Sequence, residues 1–311
     1  MWLLLGNGTA HTKMVSTTEI IKRGKMKVSK AVIPCGGFGT RFLPATKVMP
    51  KEVMPIVDKP ALWYIVEEVA RAGITDLLII IAEGKESIKN LFEDNNRLNA
   101  HLQNKGLDNL MKVANHDFGV NVSFKVQESQ NGSGDAVYLA KDFAKGEPVA
   151  VLFGDDVIYT GDNDSAIKQL IDAYLETGKT VVGVQRTSEE VARRCGVMET
   201  VGEVGKITAI SGIIEKPTGE LPSELVSLGR FVITPDVFDA IETTTLSKDG
   251  EIYLTDAITK VAKESGAVAC VFEGRRYDIG NKQGYLEAVV DFALRDENLA
   301  KDFKEYLKTK V

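Results

Sequence analysis

The sequence predicts an α/β fold: one mixed, mostly parallel sheet with helices on both faces, a looser insertion in the second half and a helical arm at the C-terminus. Three observations predict it. Short continuous apolar runs alternate with amphipathic stretches from Lys27 onward, the pattern that builds a parallel sheet covered on both sides. A glycine-rich turn follows the first run directly. Past about Val184 the alternation loosens into shorter strands separated by Gly/Pro turns.

The elements follow in order. Ala31 to Pro34 reads as a buried strand. From Pro60 to Ala70, apolar Leu62, Ile65, Val66, Val69 and Ala70 fall on one helix face. Pro60 suits the first turn and Gly73 the stop. Leu77 to Ala82 and Val149 to Phe153 are unbroken apolar runs, as in strands covered on both faces. Val120 to Val126 alternates as a strand does, Ala136 to Phe143 and Ser165 to Leu175 read as helices, and Thr180 to Val184 as a strand. Shorter strands are expected around Val197, Ile207, Ile213 and Phe231, and interrupted helical periodicity from Tyr285 to Leu307. The expected organisation is a leader, residues 1–25, with Met26 as a natural start, then a single domain over 26–311. Its first half runs to about 184 and its second from about 185.

Composition excludes several classes. A formal charge of −6 lacks the basic face of a general nucleic-acid binder. Cys35, Cys195 and Cys270 form no CxxC pair, which offers no zinc site and fits a reducing cytoplasm. His11, His101 and His116 stand beside no nucleophile signature. No stretch of about 18 apolar residues exists for a membrane span. The short run Trp2 to Leu5 has no basic residue before it, unlike a secretory signal.

Four motifs bear chemistry. Gly36-Gly37-Phe38-Gly39-Thr40-Arg41 follows the first strand, with Lys47 and Lys51 close behind. Glycines at a strand's carboxyl end let backbone N–H groups approach a polyphosphate, and nearby cations neutralise it. The loop ends Gly-Thr-Arg rather than Gly-Lys-Ser/Thr, and Phe42 stands where the dinucleotide fingerprint needs glycine, so neither rival signature fits. Gly154-Asp155-Asp156-Val157 closes a second apolar run, either as a turn cap or as a holder of Mg²⁺. Glu215-Lys216-Pro217 is either a solvated pair or a grip on a sugar phosphate. Arg276-Tyr277-Asp278-Ile279-Gly280-Asn281 is either a plain turn or a second metal ligand.

The order of these motifs resembles the sugar-nucleotide pyrophosphorylases, specifically the bacterial UTP–glucose-1-phosphate uridylyltransferases. Gly39-Thr40-Arg41-Phe42-Leu43-Pro44-Ala45-Thr46-Lys47, Met49-Pro50-Lys51-Glu52 and Pro55-Ile56-Val57-Asp58-Lys59-Pro60 look like that family's opening signature. Gly250-Glu251-Ile252, Leu254-Thr255-Asp256-Ala257-Ile258 and Arg276-Tyr277-Asp278 also match, within a similarity spanning about Lys27 to Phe303. The resemblance implies a Rossmann-like nucleotidyltransferase fold whose insertion binds sugar. It implies transfer from UTP to glucose 1-phosphate, giving UDP-glucose and pyrophosphate with Mg²⁺.

By that resemblance Gly36, Gly37, Gly39 and Arg41 bind the UTP phosphates, Lys51 contacts the leaving phosphates, and Gln127 and Gly132 read the base. Asp155 and Asp278 hold the metal. Gly196, Glu215 and Lys216 bind the sugar phosphate, with Gly229-Arg230 on the floor of that pocket. Arg41, Lys51 and Lys216 are the expected catalytic cations. A cytoplasmic homodimer or homotetramer is expected. The chain departs from the family pattern at Ser133 and Asp135, where Gly-Leu-Gly-His-Ala is usual, at Leu221 to Val226, at Phe231 and at Tyr253. The same reaction on another nucleotide (dTTP, GTP or CTP) or hexose phosphate, and a catalytically silent sugar-nucleotide-binding regulatory subunit, are the alternatives.

Overall fold

The apolar runs become the middle of a nine-stranded sheet. The computed structural model describes residues 27–247 and 249–310; the leader expected over 1–25 lies outside the described residues. The first-half strands are β1 (Lys30–Cys35), β4 (Asp76–Ala82), β5 (Asn121–Gln127), β6 (Val149–Leu152) and β8 (Thr180–Arg186). The second half supplies β9 (Gly196–Val201), β10 (Ile207–Glu215), β11 (Leu225–Ile233) and β12 (Ala267–Val271). Their order is β5-β4-β1-β6-β11-β8-β12-β10-β9. β5, β4, β1 and β6 pair in parallel, as do β8 and β12. β11 runs antiparallel between β6 and β8, and β10 antiparallel between β12 and β9. Val226 of β11 also pairs with Val197, which folds the β9 edge back on the sheet. Two small ribbons flank it, β2 (Pro55–Ile56) with β3 (Lys59–Pro60), and β7 (Asp156–Tyr159) with β13 (Arg275–Asp278).

The period-2 alternation of strands divides the core between the two faces. Ala31, Ile33 and Cys35 point one way, onto Leu62, Ile65 and Val66 of α1 (Ala61–Arg71) and onto Leu170 in the helix Ala166–Thr177. Val32, Val149 and Val151 point the other way, towards Phe238, Leu254 and Ile258. Each fully buried Val, Leu, Ile or Phe among these contributes about 1.5–3 kcal/mol relative to exposure. The helices after α1 are α2 (Asn96–Asn104), α3 (Asp108–Ala114), α4 (Ser133–Tyr138), α5 (Lys141–Ala144), α6 (Ala166–Thr177) and α7 (Glu189–Ala192). The second half adds α8 (Asp236–Glu242), α9 (Leu254–Glu264), and the arm α10 (Lys282–Ala293) and α11 (Ala300–Lys308).

Three details differ from the sequence expectation. Pro60 is the residue before the first turn of α1, extended at ψ 145°, because it closes the β2–β3 ribbon. Gly73 does stop that helix, at φ 76°. The stretch Ala136 to Phe143 breaks between α4 and α5. There the Leu139 carbonyl accepts from Lys125 Nζ at 2.9 Å, and Ala140 N–H makes a tighter bond to Val137 O. No helix among the described residues is long and apolar enough to cross a membrane.

Arg230, expected beside a pocket, is instead fully buried on β11. Its Nη2 donates to Glu68 Oε2 of α1 at 2.8 Å and to the Asp156 carbonyl at 2.6 Å. A guanidinium withdrawn from water in this way needs each of those acceptors. Arg230 therefore clamps α1 and β7 to β11 and cannot reach a ligand.

Candidate active site

The first site element is the turn after β1. The chain leaves the sheet at Gly36 and Gly37, and Gly39 takes a left-handed φ of 66° that favours glycine. An added Cβ on Gly36 would fall 2.7 Å from Gln127 Oε1, so bulk there would displace a wall of the site. Gly36 and Gly37, but not Gly39, line a cavity of about 220 Å³ together with Lys51, Gln127, Gly132, Asp155 and Glu251. Gly132, at φ 104°, abuts the backbone of Ile252, where a Cβ would meet the carbonyl oxygen at 2.6 Å. Gln127, at the carboxyl end of β5, is 3% exposed and donates from Nε2 to Asp135 Oδ2 at 2.7 Å.

Charges meet at the mouth of this cavity. Lys51 Nζ lies 2.5 Å from Asp155 Oδ2. Burial pushes the Asp155 carboxyl up, but the Lys51 ammonium, its hydrogen bond and Arg276 hold it below the ordinary carboxylate range. Burial likewise pushes the Lys51 ammonium down, and Asp155 with Glu52 outweighs it, leaving it above the ordinary lysine value. Glu52 is fixed from below by Lys85, whose Nζ reaches both carboxylate oxygens at 2.9 Å and the Cys35 carbonyl at 2.9 Å. This buried pair anchors the Lys51 turn to the end of β1.

Asp278 arrives from the far end of the sequence. β13 pairs with β7 in the register Asp278↔Asp156, and Ile279 N–H donates to the Asp155 carbonyl at 3.0 Å. A Cβ built on Gly280 would lie 2.9 Å from Asp155 Oδ2 and 3.0 Å from Asp278 Oδ1, so both carboxylates flank one point. Arg41, exposed, donates to the Gly280 carbonyl at 3.4 Å. Arg276 holds Asp156 at 2.6 Å and comes within 3.8 Å of Asp278.

Among the described residues no group of three or more His, Cys, Asp or Glu side chains forms a protein-only metal cage. Two carboxylates completed by substrate phosphate oxygens are nevertheless a donor set that suits Mg²⁺. The residues present fit that ion.

Gly196, Glu215 and Lys216 form a second cluster and do not line the cavity. Glu215 Oε2 accepts from Thr255 Oγ1 at 3.1 Å and would lie 3.0 Å from a Cβ on Gly196. Burial raises the Glu215 carboxyl above the ordinary glutamate range despite Thr255 and Lys216. Lys216, at φ 45°, donates to the Tyr253 hydroxyl at 2.9 Å, and its ammonium sits 4.9 Å from the centre of that ring. Tyr253 in turn donates to Asp249. The two clusters adjoin through Glu251, which lines the cavity, and Ile252, which abuts Gly132, one or two residues before Tyr253.

Sequence reasoning missed Gln130 and Phe153, which also line the cavity, and the supporting pair Glu52–Lys85; it named Ser133, another lining residue, only as a departure from the family pattern. A buried acid beside Lys51 carries no local signal. It is found only once β4 delivers Lys85.

The nucleotidyl transferase family model matches residues 30–294. UTP–glucose-1-phosphate uridylyltransferase 2 of Staphylococcus saprophyticus is 43% identical over 284 residues, 91% of this chain and 98% of that protein. The UTP–glucose-1-phosphate uridylyltransferase of Staphylococcus epidermidis is 42% identical over the same shares. Among solved structures, a UDP-glucose pyrophosphorylase from Acinetobacter baumannii superposes with a TM-score of 0.85 at 31% identity, covering 91% of this chain and 100% of that one. A UDP-glucose pyrophosphorylase complexed with UDP-glucose gives 0.77 at 32% identity, covering 86% and 100%. With a glycine-lined cavity, a lysine paired to one of two neighbouring carboxylates, and a match along most of its length to such relatives, this chain belongs to the nucleotidyl transferase family of enzymes.

Proposed function

We propose that the chain joins glucose 1-phosphate to the uridylyl group of UTP, forming UDP-glucose and pyrophosphate in a Mg²⁺-dependent, in-line displacement. The observation that carries this reading is the Lys51–Asp155 pair in the lining of the glycine-rich cavity, with Asp278 beside Asp155 across Gly280. The names of the relatives support the choice of UTP and glucose 1-phosphate.

The nucleophile is a phosphate oxygen of glucose 1-phosphate, ionised at neutral pH, so no general base is needed. It forms a bond to the α-phosphorus while the bond from that phosphorus to the bridging oxygen breaks, and pyrophosphate leaves with the electron pair. The obstacle is repulsion between two polyanions. Mg²⁺ held by Asp155 and Asp278 would neutralise phosphate charge. Gly36, Gly37 and Gly39 bring backbone close to the nucleotide phosphates, and Arg41 and Lys51 supply positive charge there. Gln127 and Gly132 meet the base. Lys216 meets the sugar phosphate, with Glu215 accepting from sugar hydroxyls beside Gly196. One unit charge at about 4 Å is worth about 4 kcal/mol at an effective dielectric of 20. Positioning and charge together are thus adequate to the reaction.

The reaction is tested by pyrophosphate release over a panel of nucleoside triphosphates and sugar phosphates with Mg²⁺. UTP with glucose 1-phosphate should dominate, and equal turnover with dTTP would overturn the base assignment. A cytoplasmic homodimer or homotetramer fits the three free cysteines and the apolar residues Leu286, Leu299 and Tyr306 exposed along the arm. Sedimentation equilibrium giving a monomer would overturn the oligomeric assignment.

A further inference from the structure

Asp135 is one of the chain's departures from its family pattern, and its contact is specific. Its Oδ2 accepts from Gln127 Nε2 at 2.7 Å, and the Gly132 carbonyl lies 3.5 Å from the same nitrogen. A carboxylate and a backbone carbonyl only accept hydrogen bonds. With both on one side, the Gln127 amide must turn its NH₂ group to them, which sends Oε1 the other way, against Gly36. Oε1 accepts no hydrogen bond from any described residue. Yet no fully buried side-chain nitrogen or oxygen among the described residues lacks a partner, so this oxygen opens onto the cavity that Gln127 lines.

We propose that Asp135 is a positioning residue that locks the Gln127 carbonyl oxygen towards the nucleobase, so that the site selects a base carrying a ring N–H over one whose ring nitrogen accepts. This rests on the reading that the cavity takes the base of a nucleoside triphosphate. Uracil and thymine present an imide N–H to such an acceptor. Cytosine presents a lone pair at the same ring position, and two acceptors then face each other with neither paired. Leaving a buried acceptor unpaired costs on the order of 10- to 100-fold in affinity. The residue acts through Gln127 and touches no reacting atom.

The test is Asp135→Asn, assayed by pyrophosphate release with glucose 1-phosphate and each of UTP, dTTP and CTP. An asparagine offers a donor or an acceptor, so the Gln127 amide is free to turn over. The UTP:CTP ratio of kcat/KM should fall at least about tenfold, while the UTP:dTTP ratio stays as in the wild type, because both bases carry the N–H. The loss for UTP should appear mainly in KM, since the base lies away from the phosphorus that reacts. A folded D135N enzyme with an unmoved UTP:CTP ratio overturns the proposal. The wild type supplies a second arm that needs no variant: UTP methylated at the ring N–H should be a poor substrate, and equal use of it also overturns the proposal. A wild type that makes no pyrophosphate from UTP with any sugar phosphate overturns the underlying functional reading, and this proposal with it. An active, UTP-preferring wild type with an unmoved D135N ratio overturns this proposal alone.

Discussion

The two charged clusters of this enzyme are built differently. At the cavity, Arg41 aside, most charges are paired with largely withdrawn partners: Lys51 with Asp155, Glu52 with Lys85, Asp156 with Arg276, and behind them Glu68 with Arg230. In the neighbouring cluster Lys216 is 52% exposed and rests on a tyrosine that is itself bonded to an exposed aspartate. Desolvated pairs hold a geometry tightly but lose heavily when one partner goes, whereas exposed pairs contribute little. The difference teaches that the first cluster is pre-set, and that the second is free to settle around whatever occupies it.

The largest effect that sharpens this contrast is Glu68→Ala, which strands the fully buried Arg230. We expect a loss of about 3–5 kcal/mol of stability in urea titrations; a loss below about 1 kcal/mol, the scale of an exposed pair, would break the comparison. Next, Asp155→Asn should lower kcat by about 10²–10³-fold, the loss typical of one preorganised electrostatic group. Near-normal turnover would remove Asp155 from the chemistry. Tyr253→Phe deletes one hydrogen bond to Lys216 and should raise KM for glucose 1-phosphate about fivefold with kcat nearly unchanged. A kcat loss as deep as that of Asp155→Asn would show that the second cluster is as rigid as the first.

The smallest expected effect is a pair of opposite pH slopes. Asp155 is held below its ordinary value of 3.8, so its contribution to stability is present above that value and fades as pH falls through its lowered pKa. Glu215 is raised above its ordinary 4.5, so its contribution is full below that value and is lost as pH rises through its raised pKa. Thermal melts across this range should show the wild-type advantage over Asp155→Asn shrinking as pH falls. The advantage of Glu215→Gln over the wild type should instead grow as pH rises. Wild-type-minus-variant stabilities that change with pH in the same direction for both variants would contradict the contrast.

The sheet interior was legible because β1, β4, β6 and β8 are covered on both faces and so read as unbroken apolar runs. α2 and α3 were not, because Leu102 is the one buried residue in either helix, and a helix that buries so little leaves no stripe. α9 carries a readable stripe in Leu254, Ala257, Ile258 and Val261, a helical signal that the family motif over the same residues overlies. The glycine turn and each acid were legible one at a time. The closeness of Asp155 and Asp278 was not, since it follows from the antiparallel register of two short strands far apart in sequence. The role expected for Arg230 failed for a related reason: its neighbours along the chain do not announce Glu68, which comes from a helix across the sheet.

Strand β11 has one more consequence. It touches β9 through Val226 and β6 from Arg230 onward, with an irregularity at Gly229 between them. β9 and β10 lead to one cluster and β6 leads to the other. The spacing between the two clusters is therefore ruled off along a single length of backbone, four residues or roughly 13 Å if fully extended. Loops on either side can drift and change what each half accepts. The gauge between them stays fixed by the sheet itself.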